Sequence, residues 1–170
     1  MRLPPYSVFP RLQGNKISLR EVLSSDIQDL MEISFYNSIP AKTLKEAAEM
    51  QARIDKDYEE GNSIHWVIIN NTNKIIGTCG YYRGFEDEAG ELGCVLLPQY
   101  RGQGFMTPAM QLAIDFGRDE MELKRIWAAT NRQNEKAISL LGRLHFVKIA
   151  ILPDDEIEYE ITATKEYPTN

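Results

Sequence analysis

Val95-Leu-Leu-Pro-Gln-Tyr-Arg-Gly-Gln-Gly-Phe-Met-Thr107 is the stretch on which the reading of this chain turns. An apolar run halts at Pro98, whose missing N–H cannot continue a β-ladder. Gly102 and Gly104 follow one residue apart, and helical patterning begins directly after them. Glycine tolerates dihedrals that other residues avoid, and it lets an anion approach the backbone without a Cβ in the way. The amides of Gly102 through Met106 then converge as a nest, backed by about half a positive charge from the following helix. Such a loop suits a pyrophosphate. A P-loop is excluded, because no Gly-Lys-Ser/Thr follows four intervening residues. A dinucleotide fingerprint would need a third glycine where Met106-Thr107 stand. On the glycines alone, a plain turn before a helix remains the competing reading.

Working outward, Leu92-Gly-Cys-Val-Leu-Leu97 reads as the strand entering the loop, and Thr107-Pro108 opens what reads as the longest helix, with proline at its first position. Met110, Ala113, Ile114 and Gly117 form that helix's inward stripe. Upstream, His65-Trp-Val-Ile-Ile and Ile75-Ile-Gly-Thr-Cys-Gly-Tyr-Tyr82 flank a polar Asn-rich turn, predicting an antiparallel hairpin. Ile17 to Val22 alternates as a first strand. Two helices follow it, with capping-box spacings at Ser25/Gln28 and Thr43/Glu46. Downstream, Arg125 to Thr130 predicts a strand and Asn134 to Leu144 a helix. A final hairpin closes around Pro153-Asp-Asp. Helices inserted between strands require crossovers, so the expected fold is α/β. It has a mixed, mostly antiparallel central sheet of about seven strands with about four helices, in one domain covering residues 1–170.

Composition narrows the function. The chain has 170 residues, 43% hydrophobic and 26% charged, which suits a globular domain. Lys and Arg number 19 against 25 acids, a formal charge of −6 that disfavours direct nucleic-acid binding. An acidic protein that binds a polyanion must concentrate its attraction locally, as a backbone nest does. No apolar run reaches the roughly 20 residues of a membrane span, and no signal-peptide pattern opens the chain, so a cytoplasmic protein is expected. Two cysteines and two histidines are too few and too scattered for a metal site. Cys79 and Cys94, each within an apolar run, read as buried reduced thiols.

Gln99-Tyr-Arg-Gly102-Gln-Gly104 resembles the Gln/Arg-x-x-Gly-x-Gly/Ala loop of the GNAT superfamily of N-acetyltransferases. Glu91-Leu-Gly-Cys-Val-Leu before it and Asn131-Arg-Gln-Asn134 through His145-Phe146 after it fit as well. The chain is most similar to the ribosomal-protein alanine/serine branch, over about residues 11–163. The resemblance implies acetyl-CoA as co-substrate, with no metal, and a sheet splayed after the Glu91–Leu97 strand. It implies that backbone groups of Val95 and Leu97 pair with the pantetheine arm. The amides of Arg101, Gly102, Gln103, Gly104, Phe105 and Met106 would hold the pyrophosphate, with the Thr107 hydroxyl as a further donor. Asn134 would bond the arm near the thioester, or act simply as a helix cap.

Three positions depart from the family pattern: Leu141 stands for the usual tyrosine acid, His145 for a glycine, and Pro108 for an acidic residue. A thiol of pKa about 8.5 is a fair leaving group without an acid. Ser139 is a weak substitute. Glu91 is the preferred general base, acting through water, with Glu86, Asp87 and Glu88 as competitors. An α-amine of pKa about 8 is roughly one-tenth neutral at pH 7, whereas a lysine is neutral in only about one part in 2,500. The expected reaction is therefore direct acetyl transfer to a primary amine, foremost a peptide N-terminus. A small amine such as a polyamine or aminoglycoside is the alternative acceptor, and a non-catalytic acyl-CoA sensor the alternative class. A homodimer is a further expectation, with Tyr81-Tyr82 as a suggested contact.

Overall fold

The structure is a computed structural model, which describes residues 1–162; the end of the expected domain lies outside them. The strands are β1 (Leu12–Gln13), β2 (Ile17–Glu21), β3 (Phe35–Tyr36), β4 (Ile39–Pro40), β5 (Ile64–Asn70), β6 (Ile75–Tyr82), β7 (Ala89–Leu96), β8 (Arg125–Asn131), β9 (Val147–Ile151) and β10 (Glu156–Thr162). The helices are α1 (Ile27–Leu30), α2 (Leu44–Glu59), α3 (Met106–Asp119) and α4 (Glu135–Arg143). Eight strands form one sheet in the order β1-β2-β5-β6-β7-β8-β10-β9. β3 and β4 pair separately as a small hairpin ahead of α2. The α/β class and the largely antiparallel sheet are as expected; the eighth strand is the two-residue β1.

Local chemistry explains most boundaries. The β5–β6 turn is held by Asn70, whose Oδ1 accepts from the amides of Thr72 (3.1 Å) and Lys74 (2.9 Å). Thr43 caps α2 as its spacing predicts, accepting from the Glu46 amide at 3.2 Å. Ser25 does not cap the first helix. Asp26 does the capping instead, accepting from the Leu23 amide at 2.8 Å while Arg20 Nη1 donates to the same carboxylate at 2.6 Å. Pro108 is the third residue of α3 rather than the first, still within the turn whose amides need no partner. The longest helix is α2, at 16 residues against 14 for α3.

Two apolar layers sandwich the sheet. The larger unites Leu19, Ile64, Trp66, Tyr81 and Ile126 with Ala113 and Ile114 of α3 and Leu140 of α4. Tyr81 is fully buried there and donates its hydroxyl proton to the Ala113 carbonyl at 2.9 Å. The smaller lies on the opposite face, where Val67, Ile69 and Leu97 meet Val22, Leu30 and Ile33 around α1. Tyr81-Tyr82 therefore sits inside the sheet and not on a free edge. The exposed apolar residues at the sheet edge are Val147, Ile149 and Ile151 of β9. Among the described residues no helix is long and apolar enough to cross a membrane.

Candidate active site

β7 and β8 set the geometry of the site. They are the parallel pair of the sheet, and they are bonded only at Ala89↔Arg125, Gly90↔Ile126 and Glu91↔Trp127. β7 continues to Leu96 along β6, so past Glu91 its other edge is open. A cleft of about 1480 Å³ fills this gap, well above the roughly 300–1,000 Å³ of a drug-sized site.

Successive residues of a strand aim their main-chain groups at opposite edges. The Leu97 amide donates to the Ile76 carbonyl of β6 at 3.0 Å. The Val95 carbonyl oxygen presses against Gly77, 2.2 Å from where a Cβ would stand. Val95 and Leu97 thus face β6, and Cys94 and Leu96 face the open edge. The expected pairing of an extended ligand with Val95 and Leu97 is corrected by one residue. The Leu96 carbonyl already shows this exposure, accepting from Arg101 Nε at 2.9 Å.

At one end of the cleft the glycine loop turns into α3. Gly102 and Gly104 have φ of +74° and +80°, and a Cβ on either would meet nothing within 4 Å. They are required for backbone shape, and the space over them is open. Phe105 precedes the helix without any side-chain cap, so the first-turn amides have no protein partner supplied by a capping group. An uncapped helix end beside two left-handed glycines fits a pyrophosphate. Arg101, Gly102, Gly104, Phe105, Met106 and Thr107 line the cleft, as do Val95 and Asn134. Gln103 turns aside, its Nε2 donating to the Gln99 carbonyl at 2.7 Å. Leu97 is buried in the smaller core.

Asn134 is the N-cap of α4, its Oδ1 accepting from the Ala137 amide at 3.2 Å. Leu141 is buried. Ser139 Oγ accepts from Arg143 at 2.9 Å. His145, at φ +63°, takes the left-handed position that ends α4, the place where the family resemblance implied a glycine. The Phe146 amide there returns to the Leu141 carbonyl at 3.0 Å. These contacts give His145 a place in the helix terminus, away from the cleft.

At the other end lies Glu91. Its side chain is 13% exposed, with Oε2 3.2 Å from Arg83 Nη1. Burial raises its pKa above the ordinary carboxylate range; Arg83 opposes this, while Glu156 and Glu158 add to it. Of its competitors, Glu88 pairs with Lys124, and Glu86 lines the cleft.

Three residues that the sequence reading passed over join this end. Ser63 Oγ and the Tyr82 hydroxyl border the same cleft and are enclosed without hydrogen-bond partners, and His65 Nδ1 is enclosed likewise in a small adjoining cavity. The cue was the glycine pair Gly80↔Gly93, since glycine inside a strand marks a close approach. The His65 ring lies 2.9 Å from the missing Cβ of Gly80, and the Tyr82 ring 2.7 Å from that of Gly93.

Burial pushes the His65 pKa down to about 4, so the folded protein holds a neutral imidazole. The unfolded chain binds that proton near pH 6.5, so stability is lost as pH falls from there toward the folded value. The expected loss between pH 7.5 and 5 is about 1–2 kcal/mol, given that part of this residue reaches solvent. Urea midpoints of the wild type and His65→Asn at both pH values check it: the variant should lack this increment of acid sensitivity.

The loop, the parted strands and the buried carboxylate together coincide with a known architecture. Residues 16–147 match the family model described as "Acetyltransferase (GNAT) domain". The chain belongs to this GNAT family. It is 31% identical over 150 residues to the uncharacterized N-acetyltransferase p20 of Bacillus licheniformis, covering 86% of this chain and 84% of that one. It is 23% identical to the spermidine N(1)-acetyltransferase of Escherichia coli K12, over 80% of this chain and 64% of that one. Among solved structures, a Vibrio cholerae protein described as a candidate ribosomal-protein-serine acetyltransferase superposes with TM-score 0.78 at 14% identity, covering 89% and 97% of the two chains. The dodecameric spermidine N-acetyltransferase of the same organism gives 0.74 at 18%, covering 86% and 94%. At such identities the structural likeness is one of fold. This GNAT protein is an N-acetyltransferase.

Proposed function

We propose that the enzyme transfers acetyl from acetyl-CoA to a primary amine, foremost the α-amine of a peptide N-terminus, by direct attack in a ternary complex. The observation that carries this reading is the parting of β7 from β8 beyond Glu91, with the uncapped start of α3 at one end and the buried carboxylate at the other. The pyrophosphate would rest on residues 101–106, with the Thr107 hydroxyl as a further donor. The pantetheine arm would run along the open edge of β7, pairing with Cys94 and Leu96. That places the thioester beside Glu91, with the Cys94 amide as an oxyanion donor.

In the reaction the amine nitrogen attacks the thioester carbonyl carbon. A C–N bond forms, the C–S bond breaks, and CoA leaves as the thiolate. Glu91 takes the first proton from the ammonium before the attack, directly or through water, and the second, shed by the nitrogen after it, passes through water to the departing thiolate. A carboxylate whose pKa is raised above the ordinary range is the better base for the first of these transfers.

The charge lining the cleft supports a singly charged acceptor over a polyamine. Asp57, Glu86, Glu91 and Glu135 are matched by Arg83, Arg101, Lys136 and Arg143. A polycation gains most from a wall of one sign. The test is thiol release from acetyl-CoA against Ser-, Ala- and Met-starting peptides, a peptide with only a lysine amine, spermidine and an aminoglycoside. Turnover confined to free N-terminal peptides is the expected result. Turnover on spermidine alone would replace the acceptor assignment, and acetyl-CoA binding with silence across all amines would leave the sensor reading.

A further inference from the structure

Glu91 pairs directly with Tyr82 across β7 and β6, and Ile64 with Tyr81 across β5 and β6. Extending that register by one residue sets Ser63 opposite Tyr82. Ser63, just before β5, Tyr82 of β6 and Glu91 of β7 therefore form a row, at the point where β8 parts from β7. Side chains directly opposite on adjacent strands share a face. All three border the cleft with an enclosed polar atom: Ser63 Oγ and Tyr82 Oη have no hydrogen-bond partner, and Glu91 Oε2 has only its ion pair with the largely exposed Arg83. An enclosed polar atom without a partner is costly, so two such hydroxyls in one row with a carboxylate call for a ligand with matching groups.

The row is unusual in what it can accept. Ionised Glu91 only accepts hydrogen bonds, and the two hydroxyl oxygens each have acceptor lone pairs. A primary ammonium offers three N–H donors, one for each oxygen. We propose that Ser63, Tyr82 and Glu91 together form the acceptor-amine site and restrict it to primary amines. The proposal deepens the acetyl-transfer reading above and rests on it. The incoming ammonium takes the place of the Arg83 guanidinium at Glu91, one cation for another. Once it has yielded a proton to Glu91, the amine keeps two N–H groups, one on Tyr82 Oη and one on Ser63 Oγ. Its lone pair is then left to face the thioester carbonyl. A secondary amine has a single N–H in that state and cannot satisfy both hydroxyls. The glycine pair Gly80↔Gly93 completes the design, because the Tyr82 ring reaches its place only by lying over the bare backbone of Gly93.

The experiment uses the whole enzyme with acetyl-CoA and the best primary-amine acceptor from the panel, beside the N-methylated form of that acceptor. The wild type should use the N-methylated form at least about 10-fold less well. Tyr82→Phe, which keeps the ring, and Ser63→Ala should each lower kcat/KM for the primary amine by about 10–100-fold. They should leave the acetyl-CoA Kd and Tm unchanged and narrow the primary-to-secondary gap. A merely structural role would not move that gap. If the wild type turns over and both variants keep its kcat/KM and its gap, the amine site is overturned and the acetyl-transfer reading stands. A loss of acetyl-CoA affinity matching the loss of turnover would also overturn it, assigning the row to the co-substrate. If the wild type binds acetyl-CoA yet acetylates no amine, the functional reading is overturned and the amine site with it.

Discussion

Glu91→Gln is expected to lower kcat by about 100-fold or more without lowering Tm. Positioned general bases contribute roughly 10²–10⁴ to rate, and glutamine keeps the shape while removing the basicity. The stability half of the prediction follows from the direction of the pKa shift. Burial holds the Glu91 carboxyl above its ordinary range, against the pull of Arg83. The folded state therefore binds this proton more tightly than the unfolded chain does. The resulting stability is fully present below the unfolded pKa and is lost as pH rises through the raised folded value. Above that raised value the native state carries an ionised, largely enclosed carboxylate, and glutamine relieves that cost. What is given up is the pair with Arg83, whose side chain is 63% exposed and whose contribution is correspondingly small. Activity in the wild type should fall on the acid side in a window above the usual carboxylate range, and this limb should vanish in the variant. Kinetics over a pH series together with a thermal melt read all three effects. An unchanged kcat would remove Glu91 from the mechanism, whatever its burial.

Gly104→Val should weaken acetyl-CoA binding by about 100-fold and alter Tm little. At φ +80° a β-branched residue is a genuine outlier, so the loop must rearrange to accept it. A Cβ there meets nothing within 4 Å, so the fold itself is not wedged apart. The damage falls on the alignment of the amides that lead into α3, and on the space a pyrophosphate would occupy. Calorimetric titration with acetyl-CoA is the measurement. An unchanged Kd would mean that the anion rests elsewhere and that these glycines only shape a turn.

The sequence by itself determined the features that depend on near neighbours. The two long hairpins, the strand–glycine–helix order at residues 92–107, the Thr43 cap and the capping asparagine of α4 are all local patterns. Their energetics involve residues a few positions apart, so the order of types is enough to read them. The α/β class followed, because helices between strands must cross over. Even the missing tyrosine was legible, since Leu141 could be counted from Asn134.

Other features were decided only when distant segments met. Which edge of β7 stays open is a matter of parity, set by the bond from Leu97 to Ile76 on another strand, and an error of one residue reverses it. Ser25 looked like a helix cap on spacing, yet Asp26 won the role because Arg20, on the neighbouring strand, supplied a partner for its charge. His145 could be counted into a glycine's place from the sequence, but that it takes the left-handed conformation there was decided only in the fold. Most of all, Ser63, Tyr82 and Glu91 lie 28 positions apart at their extremes and share no motif. They become one row only because β5, β6 and β7 are adjacent in the sheet, and cross-strand register is a property of the paired strands rather than of any one of them.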